Sequence, residues 1–311
     1  MRNVHKLTEG AVLLAAFAVL LLITIYIPFL GIVSNLFLAV PFILFGTKNT
    51  RMYAVVFLIA SLMISLIVGT ILAIPLTLSF GMTGLVIGQL IKEGKSRTSS
   101  FIAATLVFLI TLLLQYAVAV VFFNINFIED IMSLMTEAFN RSRSMLEAFG
   151  QNPAIMEQFE AALKMLESLT PSLFVLASLF AVILIELVSF PVVKRFGVKV
   201  ENRKPFREIV FPKSILWYYL ITILATLIFK PEEGSYWFLA LVNISFILQL
   251  LMVLQGLSFI YYICYKKGML KGIPIIATIF TFILPIFLYI VRILGIIDLG
   301  FDLRKRFEKS E

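Results

Sequence analysis

A single cysteine, Cys264, and a single histidine, His5, remove most metal and redox chemistry from this 311-residue chain. One thiol makes no internal disulfide and no cysteine metal cluster. One histidine, in the N-terminal tail, leaves almost nothing from which to build a zinc site or a Ser-His relay. No HExxH, CxxC or GxGxxG pattern occurs. Gly94-Lys95-Ser96 resembles the end of a phosphate-binding loop, but that pattern needs a glycine where Gln89 stands. The stretch reads instead as a basic orientation signal in a short loop. No enzyme activity, cofactor or metal site is therefore expected. A cleaved leader is also absent from the expectation, because the first apolar run continues too far and lacks a small-residue cleavage pattern.

Charge is scarce as well. Only 14% of residues are charged, against 61% hydrophobic, which leaves little of the chain for a soluble domain. Several apolar runs reach the roughly 18 residues needed to cross about 30 Å of hydrocarbon. The expected fold is all-α, a polytopic transmembrane bundle. It has about nine spans near 10–27, 30–46, 52–70, 72–91, 100–123, 171–192, 214–229, 236–263 and 274–295, or eight if one does not cross. The expected organisation is five spans in 1–123, a polar insert in 124–170 and a sixth span in 171–195. A basic loop in 196–213, three further spans in 214–297 and a charged tail in 298–311 complete it.

The insert predicts an amphipathic helical hairpin. Ile128, Ile131, Met132, Met135, Phe139, Ser142, Met145, Leu146 and Phe149 recur at three- and four-residue spacing. Gly150 is suited to end that helix, and Asn152-Pro153 to start another. Ile155, Met156, Phe159, Ala162, Leu163, Leu166 and Leu169 form the second stripe. Its methionines suit either a hairpin core or a surface that repacks around a ligand.

Basic residues set the expected orientation. They fall in the N-terminal tail and after spans two, four, six and eight, including Lys48, Arg51, Lys92, Lys95, Arg97, Lys194, Arg203, Lys204, Arg207, Lys266 and Lys267. The positive-inside rule then places the N-terminus in the cytoplasm of a bacterial plasma membrane and the insert outside. The net charge of +8 is explained this way, so no nucleic-acid partner is expected. Nine crossings conflict with the basic tail, which carries Arg304 and Lys305. Pro285 offers a way out, by breaking the last segment into a re-entrant form.

Two sets of residues inside the spans are candidates for function. Ala11 and Ala15 make a small-xxx-small pair on the first span, where a free face suits a partner helix. Ser61, Ser65 and Gly69, and Gly81, Gly84 and Gly88, have similar spacing. Glu186, Gln115, Asn243, Gln249 and Gln255, with Ser245 beside them, are polar groups in apolar helices that need partners or a wet pocket. Lys194 and Gln255 are the expected partners of Glu186, with Arg292 near the outer end of the last span.

Gln255-Gly256-Leu257, Leu294-Gly295, Asp298, Asp302 and Arg304 resemble the closing signature of the YybS-like family. That group consists of bacterial multi-pass membrane proteins without an assigned biochemical role. Residues 8–195 also resemble, more loosely, the S subunits of energy-coupling factor transporters. Ala11 and Ala15, the Gly46-Thr47-Lys48 turn, and Gly81, Gly84, Gly88 and Lys92 carry that likeness. It implies docking of a coupling or ATPase-containing membrane complex through Ala11 and Ala15, and a small solute bound towards the outside. The alternative is a non-transporting scaffold for envelope or signalling machinery, with the Arg203–Arg207 region against anionic lipid.

Overall fold

The computed structural model describes residues 2–148 and 154–305, with side-chain surroundings for 7–141 and 158–305. The capping roles expected of Gly150, Asn152 and Pro153 lie outside the described residues, as do the side chains of His5, Ser142, Met145, Leu146, Phe149, Ile155 and Met156. All regular structure among the described residues is helical. The chain begins with α1 (Arg2–Tyr26), α2 (Pro28–Asn35), α3 (Ala39–Lys48), α4 (Arg51–Gly69), α5 (Ile74–Lys92) and α6 (Arg97–Phe123). The hairpin helices α7 (Phe127–Ala148) and α8 (Ala154–Ser168) follow, then α9 (Thr170–Arg195), α10 (Lys213–Phe229) and α11 (Tyr236–Lys266). Last come α12 (Gly272–Ile283) and α13 (Pro285–Phe301).

Among the described residues, seven helical segments are long and apolar enough to cross a membrane. The second of them joins α2 and α3, the fourth is α5 with its preceding 3-10 turn, and α10 is a shorter apolar helix. The final segment is not one straight rod. Leu284 is extended ahead of Pro285, and α12 and α13 meet at 117°. Proline removes a backbone donor and pushes its predecessor out of helical conformation, which accounts for the break.

The chain divides into two compact units. The first comprises Met1–Ile131 and Leu173–Asn202, and the second Met132–Ser172 and Arg203–Glu311. In the first, patterning is inverted relative to a water-soluble protein. On α4, Val55, Ile59, Met63 and Leu66 are exposed while Ser61 and Ser65 are fully buried. Lipid is as apolar as leucine, so the outward face is greasy and close contacts hold the inside together. Phe42 sits edge-on to both Phe17 and Phe57, and Phe45 stacks on Phe57. The glycines of α5 let it approach α3 closely. A Cβ on Gly88 would lie 2.5 Å from the Ile43 carbonyl oxygen, and one on Gly84 2.8 Å from that of Ala39. Ser65 Oγ pairs with Thr77 Oγ1 at 2.5 Å. Two of the three small-residue sets are thus consumed in packing inside this unit. Ala11 and Ala15 stay exposed, beside exposed Val12 and Val19.

Four helix ends meet at one end of the first unit. Glu9 pairs with Lys48, Arg51 with Glu93, Lys92 Nζ donates to the Asn49 carbonyl, and the Arg97 N–H donates to Glu201. Basic segments that the alternation of spans assigns to one side are joined there in space.

In the second unit, Phe139 of α7 and Phe159 of α8 stack with ring centroids 3.6 Å apart, so the two amphipathic helices pack on each other. Asn124 is left-handed (φ 55°) and ends α6, and the side chain of Asn126 accepts the Glu129 N–H at the start of α7. These two asparagines, rather than any proline, set the entry to the insert.

Candidate functional site

In the first unit the charged centre is built on the start of α6. Ser96 is its N-cap and accepts the Ser99 N–H, as serine does at this position. The helix therefore begins a turn earlier than apolar patterning predicts, and Arg97 becomes a helical residue rather than a loop cation. Its Nε and Nη2 donate to Glu186 Oε2 at 3.1 and 3.0 Å, and its guanidinium lies over the Phe190 ring. This corrects the expected pairing of Glu186. Lys194 turns instead to Asn202, 3.0 Å away, and Gln255 belongs to the other unit. Glu186 is buried and Arg97 partly so, with side-chain exposures of 5% and 17%. Beside it opens a cleft of about 410 Å³ lined by Lys95, Ser96, Ser100, Phe190, Lys199 and Glu201. Ser100 Oγ is buried there without a hydrogen-bond partner. The Gly94-Lys95-Ser96 turn forms one wall, with Gly94 at φ +66°. Its glycine serves that turn, with no strand before it.

The remaining polar candidates separate into local networks. Gln115 donates to the Pro75 carbonyl and to Ser79 Oγ, both at 3.1 Å, tying α6 to α5. Asn243 accepts the Ser172 N–H at 2.9 Å and donates to the Ser168 carbonyl at 2.8 Å. It thereby caps the start of α9 from α11. Gln249 and Ser245 are half-buried and join no described network among the described residues. The five polar residues thus do not line one pocket within either unit.

The residues of the C-terminal signature do come together. Gly256 and Gly295 are where α11 and α13 cross. A Cβ on Gly295 would stand 2.0 Å from the Met252 carbonyl oxygen, and one on Gly256 2.0 Å from that of Val291. The crossing sets Asp298 against Gln255, whose Nε2 donates to its carboxylate at 2.5 Å. Asp302 is left-handed (φ 49°) and turns the chain back, so that Arg304 Nε reaches the same carboxylate oxygen at 3.0 Å. Arg304 also donates to the Arg207 carbonyl at 2.8 Å and to Ser258 Oγ at 3.1 Å. Gln255 Oε1 accepts the Phe211 N–H at 3.0 Å. Lys213 pairs with Asp302 at 2.6 Å, and Arg207 lies over the Tyr265 ring.

The buried Asp298 carboxylate is thus met by both the Arg304 guanidinium and the Gln255 amide, as a buried charge requires. The cluster binds the tail and the 203–213 loop to the Lys266 end of α11. No group of three or more metal-ligating side chains occurs among the described residues. The sequence signal for all this was present in the spacing of Gln255, Asp298 and Arg304, but only the crossing at Gly256 and Gly295 shows that they touch.

The comparisons agree with this membrane architecture. A family described as "Predicted membrane protein (DUF2232)" matches residues 15–299. "Uncharacterized protein YybS" of Bacillus subtilis (strain 168) is 30% identical over 310 residues, covering 98% of this chain and 99% of that protein. No solved structure matches. The chain belongs to the DUF2232 family of multi-pass membrane proteins, of which YybS is a relative along its full length.

Proposed function

We propose that this protein is a non-catalytic subunit of the bacterial plasma membrane that docks a second membrane protein through α1. The observation that carries the reading is selective exposure. The small residues of α4 and α5 are used up inside the first unit, while Ala11 and Ala15 face outward. A small-residue stripe lets a partner helix approach closely enough for dispersion to hold it in lipid. The partner that fits best is a transmembrane coupling component of an ATPase-containing complex, as in transporters with S subunits. In that reading the first unit binds a small solute.

The test is recovery of the partner. The full-length tagged protein, purified in mild detergent, carries a membrane partner seen by native mass spectrometry. The double substitution Ala11→Leu with Ala15→Leu reduces its recovery about tenfold or more, the effect of roughly 1.4 kcal/mol at the interface. Circular dichroism of the double mutant stays that of the wild type. Undiminished recovery from a folded double mutant removes the docking role.

A second reading, a non-transporting scaffold, is favoured by the 203–213 loop. Arg304, Gln255 and Ser258 hold this basic loop in one shape, with Arg203 and Lys204 exposed. A preformed basic surface suits a protein or anionic lipid partner. The readings part on ligand response. A solute-binding subunit gains thermal stability from one solute, and a scaffold from none.

For orientation, we take the N-terminus and all basic segments as cytoplasmic and the hairpin of α7 and α8 as extracellular. Support comes from the 117° bend and from the tail's bonds to the 203–213 loop. With α12 and α13 re-entrant, the tail returns to the side of its entry, and the conflict with the positive-inside rule disappears.

A further inference from the structure

Three arginines of this chain sit among apolar helices, and two of them have a carboxylate. Arg97 has Glu186 and Arg304 has Asp298. Arg292, on α13, has none among the described residues. Its Nε is buried without a hydrogen-bond partner, and its guanidinium rests over the Tyr289 ring at 5.1 Å. Its neighbours Ile286, Tyr289, Ile290 and Ile293 are exposed apolar or amphipathic side chains, the kind that face lipid. An uncompensated guanidinium in such a place is expensive, so its counter-ion comes from outside the chain.

Beside Arg292, Val291 clusters with Val253 and Leu257 of α11, and Ile260 and Leu288 pack against that cluster. Leu257 is about 14 Å of helix from Lys266, at 1.5 Å per residue. The guanidinium lies over Tyr289, one turn back along α13. Long basic side chains among apolar surface snorkel towards the headgroup layer.

We infer that Arg292 binds the phosphate of an anionic membrane lipid, with the Tyr289 hydroxyl at the same exposed face. A guanidinium suits this because its planar set of donors matches two phosphate oxygens. An anionic lipid supplies both the counter-charge and acyl chains for the apolar surface around it. The inference stands apart from the docking proposal, since it uses α13 and a different ligand.

The experiment uses the full-length protein in nonionic detergent. Phosphatidylglycerol, phosphatidylcholine and inorganic phosphate are added separately, and thermal unfolding is followed. Phosphatidylglycerol at about a hundredfold its Kd raises Tm by about 5 °C, while phosphatidylcholine and inorganic phosphate do not. Arg292→Gln abolishes the rise, and Lys267→Gln with Lys271→Gln leaves it. Arg292→Met, which keeps the volume without the charge, gives the same loss if the glutamine variant folds poorly. A rise that persists in a folded Arg292 variant overturns the inference. So does no rise in the wild type, or an equal rise from inorganic phosphate, which would make the site one for free phosphate.

Discussion

Replacing Arg97 with alanine is expected to lower stability by about 3–5 kcal/mol, the typical cost of removing one partner from a buried ion pair. Glu186 is 4% exposed, and the two guanidinium hydrogen bonds to its Oε2 are lost together. The cation also holds the Glu201 carbonyl, at 3.4 Å, and covers the Phe190 ring. Glu186→Gln is the milder change, because the amide keeps an acceptor and removes the charge that needs balancing. The double substitution Arg97→Met with Glu186→Leu should recover most of the loss. Buried pairs are often replaced by apolar residues at little cost, since desolvation of both ions is removed as well. Unfolding of the purified protein in detergent measures these variants, and adding the single substitutions Arg97→Met and Glu186→Leu closes a double-mutant cycle. An Arg97→Ala protein within about 0.5 kcal/mol of the wild type would show that the pair contributes little.

Gly295→Val is expected to be equally damaging, by a different route. Even the first carbon of the new side chain meets the Met252 carbonyl oxygen at 2.0 Å and the Gly256 nitrogen at 2.9 Å. Both obstacles are backbone, which no rotamer change moves, so α11 and α13 must separate. Overpacking of this kind costs about 1–3 kcal/mol, and more where backbone has to shift. Separation also pulls Asp298 away from Gln255, and with it the anchor of Arg304. The variant should therefore release the tail as well as lose stability, and protease cleavage near residue 305 reads that release. At Gly300 the nearest obstacle is the Leu216 Cδ2, 3.5 Å away, so Gly300→Ala serves as the matched control. Equal protease resistance of the Gly295 and Gly300 variants would show that the crossing is not what holds the tail.

The membrane class was plain in composition, since an apolar run long enough to span a bilayer has few other uses. The hairpin was legible for the same reason, as Phe139 and Phe159 lie on stripes that a helix must bury, and they stack. Arg97 was misplaced because charge alone marked it as a loop residue. Ser96 was the overlooked signal, a cap that moves the helix start back by a turn. Small residues look alike in sequence whether they pack inside or face a partner. Gly84 and Gly88 pack against α3, whereas Ala11 and Ala15 are left exposed. Pro285 announced a break but not its angle of 117°. The polar residues misled most. A lone Gln or Asn in a span is equally ready to line a pocket or to cap a neighbouring helix, as Asn243 does for α9.

The central structural claim is that the chain folds back at Pro285, so that its tail shares a side with the 203–213 loop. Single cysteines at Lys204, Glu232 and Lys305, in a Cys264→Ser background, test it in intact cells with a membrane-impermeant maleimide. The account predicts that the Glu232 position labels in intact cells, and that the Lys204 and Lys305 positions label together only after permeabilisation. Labelling of the Lys305 position with that of Glu232, and not with that of Lys204, would contradict it.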